Sequence, residues 1–225
     1  MMHNDYNILL TKAVPEMQGL WDDDVWRQAQ PLTIDCFRFE GSDHYPQTRC
    51  KLLYDQQNIY GIFRVEDQYV RCSHTQFQSD VWKDSCVEFF VQPTDYAGYF
   101  NFEFNCGGVL LASYVTDSTR LDDGSLRACL PLTPDDDRQI RRFASQPSVI
   151  EPEITAPVVW TLEFSIPFAV LEKYIGPLGH IQEQTWRANF YKCGNETSHP
   201  HWASWMPLSA RNFHDPVSFG RIAFR

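Results

Sequence analysis

The segment "YFNFEFN", residues 99–105, alternates large apolar and polar side chains at every step. Its apolar side carries three phenylalanines, and its polar side carries Asn101, Glu103 and Asn105. A period of two is typical of an antiparallel strand with one buried face and one polar face. The segment therefore predicts a half-buried β-strand, and it indicates a fold that is made of such strands.

Similar strand patterns recur along most of the chain, with turn residues between them. Residues 51–67 predict a hairpin around the polar turn at 56–58. The segment "PFAVLEKYIG" predicts a short helix that begins at Pro167 and ends near Gly176. The other strand patterns lie at 86–92, 109–115, 158–166, 185–194 and 218–224. Many strands and little helix indicate an all-β fold, an antiparallel β-sandwich of jelly-roll or immunoglobulin-like type.

The stretch 116–157 interrupts this pattern. It is rich in Asp, Pro and Arg, and it shows little periodicity. Because strand patterns resume after it, we interpret it as a long excursion within one domain that covers residues 1–225.

Composition limits the classes of partner and the compartment. The formal net charge is −10, whereas proteins that bind nucleic acid or anionic membranes present basic surfaces, so neither partner is expected. The seven cysteines are dispersed without a CxxC pair, which favours reduced thiols. No basic segment followed by a long apolar run opens the chain, so we expect no signal peptide and a cytoplasmic location.

The segment "VWKDSCVEFFV", residues 81–91, places a carboxylate close to an indole. Its apolar residues alternate from Val87 onward, and Glu88 lies on the opposite side of the strand, six residues after Trp82. This stretch offers a flat apolar surface and a hydrogen-bonding group to a ligand.

The polar row of residues 101–105 adds amides and a carboxylate to these groups. Such groups form directed hydrogen bonds, and an aromatic ring offers an apolar plane. Together they match a sugar, which has hydroxyls around its rim and an apolar C–H face. The same alternation occurs on any antiparallel sheet with one solvated face, so a non-catalytic structural or interaction domain is an alternative.

Catalysis is a second alternative. Two carboxylates about 5 Å apart are the geometry of a retaining glycoside hydrolase. Glu88 and Glu103 would approach this separation if their two strands pair directly opposite one another.

Metal binding has weaker support from the sequence. The end of the 185–194 strand and the loops beyond it contain residue types that bind zinc: Cys193, His199, His201 and His214. Their spacing matches no closed zinc motif, so no metal and no cofactor is predicted from them. The aspartates at 22–24 and 135–137 are compatible with calcium, although runs of Asp are more often solvated loops.

Four segments, taken in their order along the chain, resemble one known family. The first two, "LWDDDVWRQAQPLTI" and "CKLLYDQQNIYGIFRVEDQYV", are similar to an acidic opening with a first strand and to a hairpin. The third, "VWKDSCVEFFVQP", keeps a distance of six residues from Trp to Glu, and "SWMPLSARNFHDPVSFGRIAF" is similar to an aromatic-x-Asp-Pro close. In this order they resemble the family 9 carbohydrate-binding modules.

The resemblance implies a β-sandwich of jelly-roll type with a slot in which two aromatic residues hold a glucose-like ring. It places one wall of the slot at Trp82 and a hydroxyl-binding carboxylate at Glu88. The second wall falls on Phe213, where sugar-binding members have Trp, and Trp202 or Trp205 nearby could take its place. The Arg-x-Asn pair of the family stands here as Asn101-x-Glu103.

We therefore expect a carbohydrate-binding protein without enzymatic activity. Arg187 and Asn189, on the outward side of "TWRANFY", are expected to line the same face as the residues above. The expected partner is a mono- or oligosaccharide in carbohydrate catabolism. Because family modules are usually attached to glycoside hydrolases, the resemblance also implies a glycoside hydrolase as a possible partner.

Overall fold

The computed structural model describes residues 5–93 and 98–225 of the chain. These ranges contain sixteen strands and three short helices. The strands are β1 (Tyr6–Leu10), β2 (Leu32–Ile34), β3 (Cys36–Phe37), β4 (Gln47–Tyr54), β5 (Asn58–Asp67), β6 (Val70–Cys72), β7 (Cys86–Gln92), β8 (Tyr99–Asn105), β9 (Leu110–Arg120), β10 (Leu126–Pro131), β11 (Arg141–Ala144), β12 (Ile150–Ile154), β13 (Val158–Pro167), β14 (Thr185–Cys193), β15 (Trp202–Ser204) and β16 (Gly220–Phe224). The helices are α1 (Asp24–Arg27), α2 (Pro134–Gln139) and α3 (Phe168–Ile175), and single 3-10 turns lie at Val81–Lys83 and Pro216–Ser218. None of these helices is long and apolar enough to cross a membrane.

Two packed sheets, which share β1, form the sandwich. The front sheet has the strand order β10-β9-β8-β7-β14-β16-β1, and β15 pairs with β14 and β3. The back sheet has the order β1-β4-β5-β13-β11, and β2 pairs with β4. Residues 6–8 of β1 pair with β16 and residues 9–10 pair with β4, both in parallel, while the other pairings in the described ranges are antiparallel.

Aromatic side chains from both sheets fill the space between them. The ring centroid of Phe89 on β7 lies 5.1 Å from that of Phe190 on β14 and 5.9 Å from that of Phe164 on β13. Phe104 of β8 stacks on Phe164 at 5.3 Å. All four rings are fully buried, and burial of each contributes about 1.5–3 kcal/mol. The apolar side of the alternating segments is therefore the core side.

The elements predicted from periodicity are confirmed. The hairpin of 51–67 is β4 and β5, and the alternating segments correspond to β7, β8, β9, β13, β14 and β16. The predicted helix is α3, which follows Pro167 and ends at Gly176. This glycine has a φ of 83°, which a residue without Cβ adopts without strain.

The stretch 116–157 has more regular structure than its composition predicts. It contains the end of β9 together with β10, α2, β11 and β12. Most side chains of β10 are exposed, so its short alternation of Leu126, Ala128 and Leu130 does not mark a buried face. The excursion extends the front sheet through β10 and the back sheet through β11.

The N-terminal residues 1–4 lie outside the described residues, and the expectation about a signal peptide rests partly on them.

Candidate functional site

The outer side of the front sheet carries an open cavity of about 960 Å³. Cavities of about 300–1,000 Å³ are typical of small-molecule sites. Strands β7, β8, β9 and β14 supply its floor. Its rim comes from the turn 81–83, the β9–β10 hairpin and the loops that flank β15. The lining residues include Asp80, Trp82, Glu88, Asn101, Glu103, Leu111, Ser113, Arg120, Leu126, Cys129, Cys193, Asn195, Trp202, Arg211, Asn212, Phe213 and His214.

Strand register explains why the polar groups converge on the floor. Glu88 of β7 lies directly opposite Glu103 of β8 on one side and Tyr191 of β14 on the other. Directly opposed residues point to the same face of a sheet. Phe89 of β7 and Phe102 and Phe104 of β8 point into the core, so Glu88 and Glu103, which alternate with them, point to the cavity. The sequence alone could not fix this register, and the structure places the two residues opposite one another.

An amide holds one of the two acids in place. The side chain of Asn101 donates from Nδ2 to Glu103 Oε1 at 2.8 Å, and its Oδ1 accepts from the backbone N–H of Ser113 at 3.0 Å. Only 4% of Glu103 is exposed, and burial raises its pKa to about 7 against the opposing hydrogen bond from Asn101. Near neutral pH this carboxyl group can therefore accept a hydrogen bond or donate one.

The second acid is more deeply buried and lies against a thiol. Glu88 is 2% exposed, and the thiol of Cys193 lies 3.2 Å from its Oε1. Burial raises the pKa of Glu88 well above its usual value, and the nearby Cys193 and Glu103 raise it further. The neutral acid is favoured because two like charges would share a site of low dielectric.

Three aromatic residues stand at the rim. Trp82, Trp202 and Phe213 are each partly buried, and all three pack against the small apolar cluster that contains Cys86 and Cys193. These rings give the cavity apolar surfaces next to its polar floor.

Contacts behind two of these rings fix their orientation. Phe213 stacks on Tyr191 with a centroid distance of 4.1 Å and an angle of 10° between the ring planes. The indole N–H of Trp202 donates to Asn195 Oδ1 at 2.7 Å, and the guanidinium of Arg211 lies 4.5 Å from the centre of the indole. One face of Phe213 and one face of Trp202 are therefore occupied within the chain.

The turn that carries Trp82 is tied to the loop after β14. The carbonyl of Trp82 accepts from the backbone N–H of Asn195 at 3.3 Å. Behind the turn, the buried carboxylate of Asp84 accepts from the backbone N–H groups of Ser73 and His74, both at 3.0 Å, and from Asn105 Nδ2 at 2.9 Å. These bonds hold the Trp82 turn at the cavity edge.

The structure brings five of the nine predicted site residues together. Trp82, Glu88, Asn101, Glu103 and Phe213 all line the cavity.

The other four predicted residues lie elsewhere, and each has a structural role. Asn105 is fully buried and holds Asp84. Loops cover the other two polar residues: Asn189 Nδ2 donates to the carbonyl of Met206 at 3.2 Å, and Arg187 donates to two carbonyls of the 217–219 segment at 3.1 Å each. Trp205 turns into the core, where its ring is edge-on to Phe190. All three polar residues lie on the outward side of their strands, and the loops that cover them could not be placed from sequence.

Sequence reasoning missed several lining residues. Arg120 comes from the end of β9, within the stretch that lacked periodicity, so no pattern assigned it to a face. Asn195, Arg211 and Asn212 lie in the loops around β15, where the aromatic residues were the only signal.

Among the described residues, the four side chains of zinc-binding type named above do not form one cluster. His199 stacks on Tyr69 at 3.6 Å, and the imidazole of His214 lies 2.7 Å from the hydroxyl of Tyr99. His201 is buried on another side of the sheet, away from Cys193, with its Nε2 2.7 Å from the amine of Lys192.

One aspartate of each acidic run caps a helix. Asp23 accepts from the backbone of Val25 at the start of α1. Asp136 forms a capping box with Thr133 at the start of α2, and its carboxylate also contacts Lys173 and Tyr174.

Comparisons with known proteins agree with this architecture. The sequence model of carbohydrate-binding family 9 matches residues 23–224 of the chain. A solved structure of a candidate carbohydrate-binding protein from Bacteroides uniformis is 25% identical with a TM-score of 0.84, and the match covers 98% of this chain and 99% of that chain. No match was found among curated proteins.

Two more distant structures share the fold. A family 9 module from Caldicellulosiruptor kristjanssonii in complex with glucose is 12% identical with a TM-score of 0.63, over 97% of this chain and 95% of that chain. The same kind of module in complex with cellotriose is 13% identical with a TM-score of 0.59, over 97% of this chain and 93% of that chain.

Proposed function

The chain belongs to carbohydrate-binding family 9, and we propose that it binds a sugar in the cavity of its front sheet. The observation that carries this proposal is that a polar surface and an apolar surface lie next to each other in the cavity. Buried carboxyl and amide groups form the floor, and three aromatic rings stand at the rim. A sugar needs both, because its hydroxyls seek directed hydrogen bonds while its C–H face seeks an apolar plane.

The ring of the sugar would pack its apolar face on Trp82, with Phe213 on the other side. Tyr191 covers one face of Phe213, and Phe213 lines the cavity. Hydroxyl groups would then bond to Glu103 and Asn101 on the floor. The glucose and cellotriose bound by the similar modules support a glucose-like ring, alone or at the end of an oligosaccharide.

The proposed role is sugar capture without bond cleavage, in carbohydrate catabolism and in cooperation with a glycoside hydrolase. The similar modules in complex with glucose and cellotriose support capture, because the sugars are bound there as ligands.

Calorimetric titration of the full chain with glucose, cellobiose, cellotriose and xylose tests the proposal. We expect saturable binding of at least one of these sugars. Silence in all four titrations and across a broad glycan array would contradict it. Release of reducing sugar from a bound oligosaccharide, lost in Glu88→Gln, would assign the cavity to hydrolysis instead.

A further inference from the structure

At the cavity floor, the lining residues Glu88 and Cys193 have a second, fully buried thiol beside them, that of Cys86, and the proposed sugar contacts do not use this group of three. Cys86 of β7 lies directly opposite Cys193 of β14. The thiol sulfur of Cys193 is 3.2 Å from Glu88 Oε1, and that of Cys86 is 3.9 Å from it. The three ligand atoms all lie within 4.8 Å of one another. We propose that Cys86, Glu88 and Cys193 bind a thiophilic divalent cation, for which Zn²⁺ fits best, independently of any sugar.

The spacing of these atoms suits a tetrahedral ion. Zinc lies about 2.3 Å from thiolate sulfur and about 2.0–2.2 Å from carboxylate oxygen. Two such ligands in a tetrahedron are about 3.5–3.8 Å apart by geometry. The two sulfur–oxygen separations of 3.2 Å and 3.9 Å bracket this range, so small side-chain rotations complete the site. Thiolates select zinc over calcium and magnesium, which prefer oxygen ligands.

Acidic side chains outnumber the arginines around this cluster. Asp80, Glu88, Glu103 and Asp123 line the cavity together with Arg120 and Arg211. A divalent ion that binds the cluster would displace the protons of its thiol and carboxyl ligands.

The fold also provides rigidity and access. All three ligands lie on two adjacent strands, whose ladder fixes the ligand positions before an ion arrives. Glu88 and Cys193 line the cavity, so the ion can enter from it. Three protein ligands would leave the fourth position of a tetrahedral ion open, as in catalytic zinc sites.

A second cluster, His44, Asp67 and His201, has similar ligand spacing but is already occupied by a side-chain cation. The amine of Lys192 lies 2.7 Å from His201 Nε2 and 3.4 Å from Asp67 Oδ2. The other ring nitrogen of His201 is 2.9 Å from the carbonyl of His199. Both nitrogens of this imidazole are engaged, so we propose no metal there.

Titration of the metal-free, phosphine-reduced full chain with Co²⁺, followed by displacement with Zn²⁺, tests the proposal. We expect one ion per chain, thiolate-to-cobalt charge-transfer absorption, tetrahedral d–d bands, and proton release on binding. Changes outside the ligand shell weaken metal binding by up to about 100-fold. Loss of a ligand thiol in Cys86→Ser or in Cys193→Ser should therefore weaken Zn²⁺ binding by more than this.

Two cysteine variants serve as matched controls. Cys129→Ser removes the exposed thiol that lines the same cavity, and Cys72→Ser removes a buried thiol outside the proposed site. Both should keep the cobalt spectrum and the affinity. Absence of binding, a cobalt spectrum without thiolate bands, or unchanged affinity in Cys86→Ser would overturn the proposal. If a ligand variant fails to fold, the spectra of the wild type and the two controls still test the proposal. Loss of the thiolate bands in either control would overturn it.

Discussion

Lys192 and Cys193 are neighbours on β14, yet the polar groups buried beside them are arranged in opposite ways. The amine of Lys192 has 0% exposure, lies 3.4 Å from Asp67 Oδ2 and closes an ion pair inside the protein. On the other side of the strand, the carboxyl of Glu88 lies against the thiol of Cys193. On this side, Glu103 accepts a hydrogen bond from the Asn101 amide and has no cationic partner in the described ranges, and it lines the cavity.

The two clusters have opposite effects on the pKa of their acids. Burial would raise the pKa of Asp67, but Lys192 and His44 outweigh it and hold that pKa well below its usual value. Burial raises the pKa of Glu103 to about 7. The Lys192–Asp67 cluster pairs its buried charges within the protein. The Glu88–Glu103 cluster keeps acidic groups buried without an ion-pair partner among the described residues, which costs some stability and is typical of a ligand-binding site.

The largest expected difference concerns the removal of the buried cation. Lys192→Met leaves Asp67 buried without its amine partner, and loss of one partner of a buried pair costs about 3–5 kcal/mol. The free energy of unfolding, measured in denaturant at pH 7.5, should fall by this amount. Glu103→Gln is the matched variant on the other side, and it should leave the free energy unchanged or higher. Equal losses in the two variants would contradict the contrast.

The dependence of stability on pH should separate the clusters by sign. Glu103 has a pKa of about 7 when folded against 4.5 ordinarily, so between these values the folded chain holds a proton that the unfolded chain has released. Its contribution to the free energy of unfolding therefore falls as pH rises through this window, on the order of 3 kcal/mol in total. Asp67 acts oppositely, because its pKa is lowered and its contribution is lost as pH falls below the ordinary value.

Unfolding curves of the wild type and Glu103→Gln, recorded from pH 4.5 to 8, measure this effect. The free energy of unfolding of the variant should rise relative to that of the wild type as pH increases. Parallel pH profiles would show that Glu103 titrates normally in the folded protein.

The aromatic rim should contribute to binding and little to folding. Trp82→Ala should weaken sugar binding by about 1–3 kcal/mol, the scale for loss of aromatic burial, with a smaller change in stability than Lys192→Met causes. Calorimetry measures the affinity. Phe39→Ala serves as control, because Phe39 is 86% exposed and does not line the cavity. Equal affinities of Trp82→Ala and the wild type would remove Trp82 from the site.

The smallest effect is expected at a residue on the predicted face but outside the cavity. Arg187 donates to the carbonyls of Val217 and Phe219. Arg187→Ala should leave the sugar affinity within a factor of about two and lower the free energy of unfolding by about 0.5–1.5 kcal/mol. A large loss of affinity with unchanged stability would bring Arg187 back into the binding site.

Periodicity predicted the strands and the faces, because the core imposes a period of two on β7, β8 and β14. It could not predict where loops cover the polar face. Asn189 and Glu103 are both on the outward side of their strands, yet the 205–206 segment covers the first and the second lines a cavity. The proximity of the two thiols could not be predicted either, because Cys86 and Cys193 are far apart in the chain and meet only through the register of β7 and β14.

The tryptophan indole N–H signals in ¹H–¹⁵N NMR spectra offer the most direct test of sugar binding in the cavity. Trp82 and Trp202 line it, whereas Trp26, Trp160 and Trp186 are buried elsewhere and act as internal controls. Addition of a sugar that binds in calorimetry should shift the Trp82 signal, with or without that of Trp202, and leave the three buried signals in place. A bound sugar that leaves the Trp82 signal unmoved would contradict the account.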